Sequence, residues 1–182
     1  ALQTNPLLFS GAMFLTQVSI TAPVAGYAGG LAVVGALAKK PLELGQVTIL
    51  TGDNGSGKST LIEAIAIAAG ANPAGGSRHA RFQAADHSAL HESLTLTRRQ
   101  NPRDVYFLRG ETFLDLGEYH QQLDRDTPFG PRDPLADIPR KSHGQGIMHL
   151  ARNRFGPDTL IILDEPEDGL SVFSQLELLG HL

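Results

Sequence analysis

The chain contains no cysteine and no tryptophan. The first absence rules out a disulfide framework and any thiolate-bound metal, and it fits a reducing compartment, so a cytoplasmic protein is expected. A strong charge imbalance is missing too. The formal net charge is -4, which argues against a surface that coats nucleic acid and leaves only local basic pairs such as Arg98-Arg99 and Arg140-Lys141. Long hydrophobic runs are also lacking. The nearest, Ala22–Ala38, contains Pro23 and several glycines and is followed by Lys39-Lys40, so no integral membrane segment is expected and the run reads as a strand, turn and short helix. No basic region precedes the first apolar residues, which argues against a signal peptide.

What remains is an ordinary globular composition, 41% hydrophobic and 19% charged over 182 residues, enough for one well-packed core and too little for two. A single domain over residues 1–182 is expected, with about 71–140 as a variable insertion or helical lobe. Met13–Ile20 alternates as an early strand. Val47–Leu50 is β-branched and apolar, the mark of a short buried strand. Ser59–Ala69 is the clearest helix, stopped by Gly70 and Asn72-Pro73. Leu94–Thr97 reads as an edge strand, Val105–Leu108 as a better one, and Glu111–Leu123 as a helix despite Gly117. Thr127–Gly144, with Pro128, Pro131, Pro134 and Pro139, reads as an irregular loop. Ile147, Leu150, Ala151 and Phe155 restore helical spacing. Leu160–Leu163 reads as a central strand buried on both faces, and Val172, Phe173, Leu176 and Leu179 mark one face of a last helix. Alternating strands and helices of this kind imply an α/β fold, a mainly parallel sheet flanked by helices.

Two motifs carry chemistry. Gly52-Asp53-Asn54-Gly55-Ser56-Gly57-Lys58-Ser59 fits G-x-x-x-x-G-K-[ST] between an apolar segment and a helix, the context a phosphate-binding loop requires. Its glycines let successive amides, from Asn54 through Thr60, turn toward a β-phosphate, and the positive helix end adds to that field. Lys58 would reach the β- and γ-phosphates, Ser59 would place its hydroxyl on Mg²⁺, and Thr60 would lie nearer the α-phosphate. The second motif ends the Leu160–Leu163 strand with Asp164 and Glu165. Asp164 is the candidate metal ligand and Glu165 the candidate base that orients the attacking water. Together they point to ATP and Mg²⁺ as the expected ligands and ATP hydrolysis as the expected reaction, with GTP or another phosphate group the alternative for the loop alone. His79, His87, His91 and His120 have no metal-ligand spacing and read as surface or loop residues.

The loop in its narrower form, Gly52–Thr60, and Asp164-Glu165-Pro166 resemble the ABC-type ATPase superfamily. That superfamily carries a signature, usually written LSGGQ, before the D-E strand. Lys141-Ser142-His143-Gly144-Gln145 stands there, with Lys141 and His143 departing from the pattern. The resemblance implies an ABC-type core with a small helical or loop lobe that closes as an ATP-sandwiched homodimer, in which Ser142, Gly144 and Gln145 face the γ-phosphate bound by the other copy. Ser142 and Gly144 also suit a plain helix cap. A group of small, stand-alone bacterial ABC-like ATPases is the nearest in motif order: Asp53–Thr60 with Leu61, Glu63, Ala64, Ile65 and Ala66, then Phe107–Phe113, Ser142–Gln145, and Asp164–Glu167 with Leu170-Ser171.

The superfamily's Q-loop glutamine is missing from the Phe107–Phe113 segment, where Arg109 and Glu111 are the candidates to replace it; otherwise Arg109 reads as a salt-bridging residue and Glu111 as a helix N-terminal acid. Asp168–Ser171 takes the place of the D-loop. No switch histidine follows the D-loop helix, since His181 lies too early, and the chain reads as C-terminally incomplete. Tyr27 and Phe14 are the candidates to stack on adenine. The cellular output stays open among a nucleic-acid maintenance or defence ATPase, the nucleotide-binding subunit of a transporter, and a weakly hydrolysing ATP-binding scaffold, with an unidentified protein or nucleic-acid partner.

Overall fold

The structure, a computed structural model, describes residues 12–73, 75–77, 88–110, 113–126, 129 and 132–181. Along the chain these form β1 (Leu15–Ile20), a 3-10 turn (Gly26–Gly30), α1 (Ala32–Lys39), β2 (Leu42–Glu43), α2 (Lys58–Ala69) and β3 (Gly76–Ser77). A second 3-10 turn (Ala89–Ser93) leads to β4 (Leu94–Arg98), β5 (Asp104–Arg109) and α3 (Phe113–Asp126). A 3-10 segment (Pro134–Arg140), α4 (His143–Arg154), β6 (Thr159–Asp164) and α5 (Val172–Leu179) follow.

The α/β class holds, but the sheet is not mainly parallel among the described residues. Two three-stranded sheets are present, in the orders β2-β1-β4 and β3-β5-β6. Only β5 and β6 run parallel; β1 pairs antiparallel with both β2 and β4, and β3 antiparallel with β5. The reason lies in the strand sequences. β4 reads Leu-Thr-Leu-Thr-Arg, with its leucines half-buried and the residues between them exposed, and a sheet with one wet face is an antiparallel habit.

Val47–Leu50 corrects a second expectation. Val47 and Thr51 make isolated strand bridges, the residues between them form no strand, and Ile49 is 45% exposed. β6 consequently pairs only with β5, at the edge of its sheet among the described residues, and Leu160–Leu163 are half-buried and not enclosed on both faces. β propensity alone does not make a strand where no partner supplies the ladder.

β5 and α2 organise the interior. Val105 and Phe107 turn to one face of β5 and pack with Ala66, Ala69 and Ala71 at the end of α2, together with Leu160 and Ile162. Tyr106 and Leu108 turn to the other and meet Phe113, Leu116, Leu135, Ile138, Ile147 and Leu150. This period-two alternation places the β5–β6 pair between α2 and a lobe made of α3, the Pro134–Arg140 segment, α4 and α5. The opposite side of α2, with Leu61, Ala64 and Ile65, packs with Leu15, Val18, Val33 and Leu37, joining the antiparallel sheet and α1 to the same interior.

The Pro134–Arg140 segment was expected to be irregular. Asp133 caps it by accepting the Leu135 amide at 2.9 Å, and Pro134 sits at its first turn, where no amide donor is needed. Leu135 and Ile138 are then buried against α3. Gly117 is what lets α3 come close: a Cβ there would lie 2.6 Å from Ile138 Cγ2. No helix among the described residues is long and apolar enough to cross a membrane.

Candidate functional site

The glycine loop is shaped by backbone. Gly55 and Gly57 take φ of 77° and 91°, the left-handed region that non-glycine residues avoid. Gly57 is further confined, because a Cβ would meet Val33 Cγ1 at 2.8 Å and Leu31 Cδ1 at 3.2 Å, so α1 buttresses the loop from behind. Lys58 begins α2, with Ser59 and Thr60 after it in the first turn. The Lys58 ammonium donates to the carbonyls of Gly52 at 2.7 Å and Asp53 at 2.9 Å, closing the loop on itself. Asn54 and Gly55 are exposed at its tip. Ser56 Oγ is buried without a hydrogen-bond partner among the described residues.

The carboxylates stand at the end of β6. Asp164 is buried, 6% exposed, while Glu165 is exposed with φ of 50°, the one described non-glycine residue with positive φ. Strained backbone of this kind costs on the order of 1–3 kcal/mol and persists where neighbours enforce it. Here Asp168 donates its amide to the Glu165 carbonyl at 3.1 Å, and the Gly110 amide donates to the Asp164 carbonyl at 3.3 Å. The β5–β6 register pairs Arg109 with Asp164.

Arg109 is a salt-bridging residue. Its Nη1 donates to Glu63 Oε2 at 2.7 Å, and its Nε lies 3.9 Å from Asp164 Oδ2. Glu63, on the second turn of α2 and 8% exposed, also accepts the Ser88 amide at 3.2 Å. A line of charge therefore runs from the phosphate-loop helix to the β6 carboxylate. The sequence gives no sign of which carboxylates Arg109 meets, because Glu63 and Arg109 are 46 positions apart. Glu111 lies outside the described residues.

The signature segment opens α4 as a capping box. Ser142 Oγ accepts the Gln145 amide at 3.4 Å, and Gln145 Oε1 accepts the Ser142 amide at 3.1 Å. Both residues are exposed. A Cβ at Gly144 would lie 3.2 Å from Leu170 Cδ2, and the His143 ring packs edge-on against Phe113 at a centroid distance of 5.2 Å. The segment is thus held against the Asp168–Ser171 turn, on the lobe side of β5–β6.

Two other expectations change. Phe14 is 8% exposed, a core residue with no face for adenine, whereas Tyr27 is 69% exposed. His120 is buried and not a surface residue: its Nδ1 lies 2.7 Å from Asp133 Oδ2. Burial lowers its pKa, against the opposing hydrogen bond and charge of Asp133. His79 and His87 lie outside the described residues.

No group of three His, Cys, Asp or Glu side chains converges among the described residues. One hydroxyl and one carboxylate, both hard oxygen donors, fit Mg²⁺, which keeps most of its shell as water and phosphate oxygen.

A family model described as "AAA domain, putative AbiEii toxin, Type IV TA system" matches residues 47–115, which hold the glycine loop, α2, β4 and β5. No match is found among curated proteins or solved structures. The matched family, the glycine loop and the helix that follows it support a nucleotide-binding, P-loop ATPase-type domain of α/β class.

Proposed function

We propose that the protein binds ATP with Mg²⁺ and hydrolyses it, working as an ATP-sandwiched pair of ABC-like domains in the cytoplasm, each formed by the whole of residues 1–182. The observation that carries this reading is the Glu63–Arg109–Asp164 line, which puts the α2 phosphate loop and the β6 carboxylates at one end of the β5–β6 pair.

The amides of Asn54 to Thr60 and the positive end of α2 receive the β-phosphate. Lys58 exchanges the Gly52 and Asp53 carbonyls for phosphate oxygens. Ser59 and Asp164 would hold Mg²⁺, which neutralises charge building on the phosphates. Glu165 orients the attacking water and accepts its proton as the new bond to the γ-phosphorus forms. The β–γ bridging bond breaks, releasing ADP and inorganic phosphate. Ser142, the Gly144 amide and Gln145 of a second copy face the γ-phosphate, which requires the capping box to share or exchange its bonds.

Turnover of wild type against Glu165→Gln, with molecular size measured in ATP and Mg²⁺, tests the proposal. A fall of about 100-fold or more with ATP binding kept is expected, together with a dimer that Glu165→Gln stabilises. Equal turnover sinks the water-orienting role, and a monomer throughout sinks the sandwich. A second reading, an ATPase serving a defence system, is favoured by the matched family's description as a putative toxin of a type IV system. A host-toxicity assay of wild type against Lys58→Ala separates it from a housekeeping role.

A further inference from the structure

We propose that Arg109 is a positioning residue, clamped by Glu63 on α2, that holds the Asp164 carboxylate ready for its metal and so couples the two arms of the site. The inference rests on the nucleotide reading above and assigns to Arg109 a different task from that of a glutamine contacting metal or water.

Three observations support it. First, the β5–β6 register sets Arg109 beside Asp164, and neighbouring positions of a parallel pair project to the same face. Val105 and Phe107 turn to the α2 side and Arg109, two residues on, reaches Glu63 of α2, so Asp164 shares that side with the phosphate-loop helix.

Second, the guanidinium is fixed from behind. Glu63 is itself held at two points, Oε1 by the Ser88 amide and Oε2 by Arg109 Nη1 at 2.7 Å. A planar guanidinium held at one edge presents its remaining edge in a set direction, which a lysine ammonium does not.

Third, Asp164 is a buried carboxylate. The guanidinium, with its Nε 3.9 Å from Asp164 Oδ2, limits the directions this buried side chain can take. Groups that orient a metal-binding side chain are worth about 10- to 100-fold in metal affinity.

The full chain is titrated with a fluorescent ADP analogue, first in EDTA and then with rising Mg²⁺. In Arg109→Ala the Mg²⁺ concentration giving half of the metal-dependent rise in affinity increases about 10-fold, while affinity in EDTA stays within about twofold of wild type, since the glycine loop is untouched. Glu63→Gln moves the Mg²⁺ requirement the same way by a smaller factor, and Arg109→Lys recovers part of the loss. Arg109→Ala leaves Glu63 buried without its cation, so the double variant Glu63→Gln/Arg109→Ala accompanies it and shows the same Mg²⁺ shift with the fold intact by circular dichroism.

An unchanged or lower Mg²⁺ requirement in the double variant overturns the proposal. So does a parallel loss of affinity in EDTA, which marks a merely structural role. A wild-type protein that binds no nucleotide in either condition overturns the nucleotide reading itself, and the inference with it.

Discussion

The two faces of β5 are built on different terms although they belong to one strand. Toward α2, Val105 and Phe107 meet alanines 66, 69 and 71, small residues that let the helix lie close, and polar contact is confined to the end of the strand, where Arg109 meets Glu63. Toward the lobe, the packing is also dense, but polar groups are taken inside. The Tyr106 hydroxyl is buried with no hydrogen-bond partner among the described residues, and His120, Asp133 and Arg154 are linked beside it. Burial raises the Tyr106 phenol well above its ordinary value. The dry face fixes the distance between strand and phosphate loop. The polar face carries costs that solution conditions can alter.

The most severe break in this contrast is expected from Phe107→Ala. Phe107 is 0% exposed, and its loss from the dry face should cost about 3–5 kcal/mol in denaturant unfolding. Gly57→Ala, at the start of the same helix, combines a left-handed φ with a Cβ pressed onto Val33 and should cost about 1–3 kcal/mol. Gly55→Ala shares the sign of φ but opens on empty space, and should cost less than Gly57→Ala in the same assay.

On the polar face, pH supplies the test. His120 has its pKa lowered in the folded state from 6.5 by burial. Above that value it is neutral both folded and unfolded; as pH falls below 6.5, the unfolded chain takes up the proton first, so stability falls. Asp133 is also lowered, from 3.8: burial would raise it, but the Leu135 amide, His120 and Arg154 together outweigh burial. Its contribution is present above 3.8 and disappears as pH falls through the folded value. Unfolding midpoints should therefore drop as pH falls below 6.5 in wild type, and less steeply in His120→Gln. The smallest effect is expected from Tyr106→Phe, which removes an unpartnered hydroxyl and should be neutral or stabilising by up to about 1 kcal/mol. A clear loss there would mean the hydroxyl has a bonded role.

The parts of this molecule legible in the sequence are those whose causes are local. The glycine loop and α2 follow from residues 52–70, where Gly55 and Gly57 turn the chain and Gly70, at φ of 104°, ends the helix. Ser142 and Gln145 announce a cap three residues apart. Pro134 and Pro139 were read as breakers, yet Asp133 and the buried Leu135 and Ile138 make the same residues a 3-10 turn. Strand partners were beyond reach: β1 finds β4 across 74 to 83 positions, and Val47–Leu50 looks like a strand without having a ladder. The Arg109 clamp is invisible for the same reason, because its three charges come from three separate elements.

The self-closed glycine loop bears on how a nucleotide arrives. With the Lys58 ammonium bound to two carbonyls of its own loop, the cradle does not wait for a ligand to gather it from a floppy coil. The conformational entropy of ordering has been given up in folding, and association involves an exchange of partners at one cation. Binding should then be governed by how fast those two contacts open, with a heat signature closer to a swap of hydrogen bonds than to the folding of a loop.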